Sequence, residues 1–190
     1  MADKNVVVVR FTEPSKAYQA LSVLKECDAD GRIGLESAAV VERTETGELR
    51  TPESADNVGL AGTASGSLVG LLIGVLAGPT GALIGAGTGA LAGGAFDVDR
   101  AVTSDEALTV LGQAIPEGST AVIASVEEPA VEVIDGEMKK LDGEVTRRPY
   151  GAVMDEIDAA ESTARKAERD AQRASFKKHN AELKQKLHAS

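Results

Sequence analysis

Residues 6–11 read VVVVRF. Four β-branched residues in succession, with no polar alternation, suit a strand buried on both faces. The chain around this run is organised by turns. Glu13-Pro14-Ser15 opens a helix, with proline near the first turn. Ala17, Ala20, Leu21, Leu24 and Cys27 then fall on one helical face at spacings of three and four. Asp30-Gly31 stops the helix. Residues 35–43, LESAAVVER, read as a second strand. Thr46-Gly47 is a turn from which 48–51 pairs back, and 52–56 is a polar link.

The same alternation returns further along. Ser104-Asp105-Glu106 starts a short helix carrying Leu108 and Leu111 and closed by Gly112. After the Pro116-Glu117-Gly118 turn, residues 119–126, STAVIASV, form a third main strand. Pro129 opens a helix with Val131, Ile134, Met138 and Leu141 on one stripe. Asp142-Gly143 turns into a last edge strand over 144–147, ended by Pro149. Two strand–helix–strand units predict an α+β class of ferredoxin-like type, a four-stranded antiparallel sheet covered on one face by two helices. The predicted organisation is a split α/β domain over 1–56 and 97–150, a glycine-zipper helical hairpin over 57–96, and a charged helical tail over 151–190.

The inserted segment holds forty residues without a charge, and its glycines keep a spacing of four. Gly62, Gly66, Gly70, Gly74 and Gly78 form one series, and Gly81, Gly85, Gly89 and Gly93 a second. Residues four apart share a helix face, so each series lays a flat groove along one arm of a hairpin that breaks at 77–81. Glycine in a helix interior costs about 1 kcal/mol relative to alanine. So many of them make sense where close backbone approach returns that loss through packing. A membrane-inserted hairpin is the leading expectation. A hairpin in the core of a soluble oligomer and a flexible linker are its alternatives. Against simple spanning, the strongly apolar part is only 68–77, and Asp56, Asp97 and Asp99 flank the segment. The segment is not a nucleotide loop. The spacing of Gly85, Gly87 and Gly89 is not that of a dinucleotide fingerprint, and no Lys-Ser/Thr ending follows.

Residues 152–188 hold no glycine or proline. Val153, Ile157, Ala160, Ala164, Ala167, Ala171 and Ala174 recur at alternating spacings of four and three, a heptad seam made mainly of alanine. Such a seam permits close approach but buries little area per residue. A helix that pairs, in cis or with another subunit, is expected, with a solvated single helix as the alternative.

The composition narrows the chemistry. Twenty basic against thirty acidic side chains give a net charge of −10, which disfavours nonspecific nucleic-acid binding. One cysteine, Cys27, excludes an intrachain disulfide framework and reads as a buried small hydrophobe. The two histidines, His179 and His188, both lie in the tail, on opposite faces of its helix, and cannot share a metal. No Ser/His/Asp or Cys/His set is available. Glu127-Glu128 and Asp97/Asp99, at element ends, read as solvated carboxylates. No catalytic, metal or cofactor residue is therefore expected, and the chain is expected not to be an enzyme.

The pieces VVVVRF, LESAAVVERTETGEL, the repeated GxxxG block, ALTVLGQAIPEGSTAVIASVEE and LDGEVTR occur in an order that resembles a family. It is the bacterial predicted membrane proteins of unknown function in which a short α/β domain is split by a glycine-rich hairpin. That resemblance implies membrane association and supplies no catalytic residues. The expected function is a non-enzymatic homo-oligomer at the cytoplasmic membrane, with lipid and a second copy as partners and its α/β domain and tail in the cytoplasm. A soluble self-assembling scaffold (ring, shell or filament) and a small-molecule-sensing domain are the alternatives.

Overall fold

The computed structural model describes residues 3–52, 68–77 and 106–188. The elements are β1 (Asp3–Phe11), α1 (Pro14–Ala29), β2 (Gly34–Arg43), β3 (Leu49–Arg50), α2 (Leu68–Ala77), α3 (Ala107–Gln113), β4 (Thr120–Glu128), α4 (Val131–Lys140), β5 (Glu144–Pro149) and α5 (Tyr150–His188). The chain divides into two compact units, Met1–Ile157 and Asp158–Ser190. The mixed α/β class expected from the sequence is the class observed.

The sheet has five strands in the order β3-β2-β4-β1-β5, and every neighbouring pair is antiparallel. The fifth strand is β3, which turns back on the end of β2 through Glu42↔Arg50 and Arg43↔Leu49. Helix α1 joins β1 to β2, which flank β4, and α4 joins β4 to β5, which flank β1. The two strand–helix–strand units are therefore interleaved, so neither half has a sheet of its own. β2 carries a register irregularity between Leu35 and Ser37. Beyond it Ser37, Ala39, Val41 and Arg43 fall on one face, and Ala38 and Val40 on the other.

One face carries Val7, Val9, Phe11, Val40, Val122, Ala124 and Val126, packed with Ala17, Leu21, Leu24 and Cys27 of α1 and Ile134 and Met138 of α4. Gly143 lets the α4–β5 turn close on this core. A Cβ there would lie 2.7 Å from Phe11 Cε1 and 2.8 Å from Val9 Cγ1. Asp142 precedes it in the left-handed region, φ 56°. Its short polar side chain tolerates that region better than most.

The expectation of a sheet covered on one face is corrected. Val6, Val8, Val41, Ala121 and Ile123 on the second face are buried as completely as those on the first. Helix α2 lies against β2, β3, β4 and α3, and α3 lies against β5. Leu68, Val69, Leu72, Val75 and Leu76 of α2 are buried, as are Leu108 and Leu111 of α3 and Val153 and Ile157 at the start of α5. The physical reason is the valine run itself. A strand apolar on both sides needs two covering layers, and α1 with α4 supply one. Each valine or leucine taken out of water contributes about 1.5–3 kcal/mol. The apolar part of the glycine segment is thus part of the α/β domain rather than an insertion standing clear of it.

The second unit, Asp158–Ser190, continues α5 as a helix to His188. Glu161 and Arg165 pair across one turn at 2.8 Å, and Phe176 is an exposed large hydrophobe.

Candidate functional site

Helix α2 is the described part of the glycine segment. Its buried residues, at positions 68, 69, 72, 75 and 76, form one stripe. The opposite side holds Gly70, Leu71 and Ile73, half-buried, with Gly74 and Ala77 exposed. A Cβ built on Gly74 would meet nothing within 4 Å. Gly74 is therefore not required by the packing of the described residues. Among the described residues, no helix is long and apolar enough to cross a membrane.

Two polar clusters sit on the sheet. On the α1/α4 face, Arg147 Nε donates to Glu128 Oε2 at 2.8 Å, and its Nη2 donates to Glu128 Oε1 at 2.9 Å and to Asp135 Oδ1 at 2.8 Å. Asn5 Nδ2 donates to Glu128 Oε2 at 3.0 Å. The register places these groups together, because Asp3 opposes Glu128 and Val7 opposes Arg147. Glu128 is buried, with no side-chain surface exposed, so the expectation of a solvated carboxylate there is corrected. At the end of a strand, side-chain alternation turned it inward onto an arginine from β5. The carboxylate is fully engaged, which makes it a tie across β1, β4, β5 and α4.

On the other face, the buried Ser125 hydroxyl donates to Glu36 Oε2 at 3.0 Å. Lys4 Nζ lies 2.7 Å from Glu36 Oε1 and 3.7 Å from the centre of the Tyr150 ring. Glu36 raises the Lys4 pKa above its ordinary value, chiefly through this hydrogen bond. Glu36 thus stands between Ser125 and Lys4, bonded to each through a different oxygen. Nearby in the fold, Glu156 of α5 accepts from the first backbone amides of α3, Ala107 N and Leu108 N, both at 2.8 Å. It caps a helix end that its own N-cap, Glu106, leaves without a side-chain bond.

Arg43 ends β2 on the same face as α2. Its backbone N–H donates to Ser119 O at 2.9 Å and its carbonyl accepts from Gly118 N at 2.8 Å. The residue is 3% exposed, yet Nε and Nη2 are buried with no hydrogen-bond partner among the described residues. Burial lowers its pKa below the usual arginine value, opposed by the charge of Glu117.

Residues 63–156 match the model of a family described as protein of unknown function, DUF1269. That stretch, just under half of the chain, is similar to the DUF1269 family. It runs from the glycine segment through α2, α3, β4, α4 and β5 to the cap residue Glu156. The DUF1269 match therefore takes in both Gly74 and the Glu128–Arg147 tie, while Arg43, Asn5 and Lys4 precede it. No curated protein and no solved structure matches the chain.

Of the residues singled out from sequence, Gly70 and Gly74 are described, on the side of α2 away from its buried stripe. Gly62, Gly66, Gly78, Gly81, Gly85, Gly89 and Gly93 lie outside the described residues, as do Asp97 and Asp99. In the tail seam, Ile157 is fully buried, Ala160 half-buried and Ala171 exposed. The side chains of Ala164, Ala167, Ala174, His179 and His188 are outside the described set. Cys27 is buried as expected, and burial raises its thiol pKa. Among the described residues no group of three or more His, Cys, Asp or Glu is placed to hold a metal ion. Sequence reasoning missed Arg43. The available signal was its parity with Ala39 and Val41, which assigns it to a buried face.

Proposed function

We propose that this protein is a non-enzymatic, self-associating protein in which the outward side of the glycine segment packs against a second copy. Gly74 carries the reading. A glycine in an exposed helix interior costs about 1 kcal/mol against alanine, and the described residues leave space for the methyl group. A backbone approaching from another molecule is a physical reason to keep that hydrogen. Half-buried Leu71 and Ile73 beside it supply apolar surface for such a contact. Sedimentation of the full chain tests this. The wild type is expected to run larger than a monomer, and Gly74→Leu to shift it toward monomer. A wild-type chain that stays monomeric across micromolar concentrations, or an assembly indifferent to Gly74→Leu, refutes the proposal.

Association with the cytoplasmic membrane is the second reading, supported by the uncharged stretch 57–96. In that setting lipid covers the outward side of the segment, and the α/β domain and tail face the cytoplasm. Alkaline carbonate extraction separates the two: protein retained in the membrane pellet supports the membrane setting, and release as a large particle supports a self-contained assembly.

A further inference from the structure

Among the described residues, the buried Arg43 and the half-buried Arg147 differ in how their guanidinium groups are used. Arg147 uses Nε and Nη2 together, on the two oxygens of one carboxylate, at 2.8 and 2.9 Å. In Arg43 the same two nitrogens are the ones without a partner. These nitrogens form one edge of the guanidinium plane, with parallel N–H bonds spaced to meet two oxygens of a carboxylate or a phosphate. We infer that Arg43 is the receptor for a small oxyanion of carboxylate or phosphate class, held edge-on by Nε and Nη2.

Three observations carry this beyond the lack of a partner. First, the arginine is fixed in place. Its N–H and C=O are both bonded to the 118–119 backbone, so the guanidinium stem starts from a rigid strand end. Second, leaving two buried donors unbonded is costly, because each has given up its water without a replacement. An anion that bonds both returns that loss on binding, so the site has a source of affinity. Third, the site lies at the rim of the sheet. The turns on either side, 44–47 and 116–118, are solvent-facing and each includes a glycine in the left-handed region, Gly47 at φ 82° and Gly118 at φ 72°. Glu117 in the second turn is near enough to act on Arg43 electrostatically but forms no ion pair with it. Against the chain's net charge of −10, the selectivity must come from the two-point geometry and not from long-range attraction. The inference does not depend on self-association, since Gly74 and Arg43 are separate features.

The test follows the arginine Nε–H resonances of the full-length protein by 15N-edited NMR. The Arg43 resonance is assigned by its loss in Arg43→Met. If Arg43→Met does not fold, Arg43→Lys serves, since it keeps the charge and removes the paired edge. Sodium acetate and sodium phosphate are titrated separately against sodium chloride at equal ionic strength. The expected result is a saturable shift at Arg43 with acetate, phosphate or both, none with chloride, and none at Arg147. A response to one anion only assigns the class. In thermal unfolding, the same anion is expected to raise the midpoint of the wild type and to lose that effect in Arg43→Lys. The inference is overturned if no saturable shift occurs, or if chloride reproduces it. It is also overturned if the Arg43 Nε–H of the wild type is already hydrogen-bonded in anion-free buffer, read from its chemical shift and slow exchange with water, because the partner is then a group of the chain itself.

Discussion

The two faces of the sheet are built from the same valine-rich strands and finished differently. On the α1/α4 face the buried charge and the tight glycine are both accounted for among the described residues. The buried Glu128 meets Arg147 and Asn5, and Gly143 is glycine because Phe11 and Val9 occupy the space of a side chain. On the α2/α3 face, Arg43 is buried without a partner for Nε and Nη2, and Gly74 has open space where a side chain would go. A charge and a glycine appear on each side, but only one side explains them by internal packing. The contrast teaches where to look for function: at residues whose cost the fold itself does not return.

The strongest way to break the comparison is to disrupt the satisfied arginine. Arg147→Met leaves Glu128 as a buried charge held by Asn5 alone. It is expected to lower the unfolding free energy by about 3–5 kcal/mol, the range for removing one member of a buried pair. Urea denaturation measures this, and a loss below about 1 kcal/mol would mean the tie is in effect a surface ion pair. Next in size is Gly143→Ala. Its methyl group must displace Phe11 and Val9, so a loss of about 1–3 kcal/mol is expected. The same substitution at Gly74 has the opposite expectation for a single chain, a gain of about 1 kcal/mol.

Arg43→Met sharpens the comparison through its sign. Replacing a partnerless buried guanidinium with an apolar chain of similar length removes the desolvation penalty and keeps the packing. In buffer without acetate or phosphate, stability is expected to rise by about 1 kcal/mol. If Arg43→Met instead loses as much as Arg147→Met, the two arginines are equivalent and the distinction between the faces fails.

How much of this was legible in the sequence depended on whether the cause was local. The α1 stripe from Ala17 to Cys27, the Asp142-Gly143 turn and the long α5 pattern were readable, because periodicity and turn chemistry act over a few residues. The valine run 6–9 also announced a strand buried twice. What it did not name was the second cover, because α2 comes from a stretch whose glycine spacing draws attention to its other side. The burial of Glu128 depended on register. It requires Asp3 opposite Glu128 and Val7 opposite Arg147, pairings between strands far apart in the chain that no local pattern encodes. Arg43 lay between these cases: alternation with Val41 gave its face, but the absence of an acid partner was visible only once the strands were assembled.

The smallest effect expected concerns pH and the rim of the well-finished face. Glu137 on α4 accepts from Lys140 at 2.8 Å and from Arg32 at 3.1 Å. Lys140 first and Arg32 second hold its carboxyl below the ordinary glutamate pKa. A carboxylate whose pKa is lower in the folded chain than in the unfolded one stabilises the fold above the unfolded value. That stabilisation fades as pH falls through the folded value. Stability should therefore be flat in this respect near neutrality and decline below about pH 4.5, the ordinary glutamate range. Glu137→Gln should flatten part of that acid decline while lowering neutral-pH stability only slightly, because the pair is solvent-screened. Urea midpoints at pH 7 and pH 3.5 for both chains measure the difference. An acid limb unchanged by Glu137→Gln would assign the acid sensitivity to other carboxylates, Asp142 first, since its bond to Lys16 at 2.6 Å lowers its pKa in the same direction.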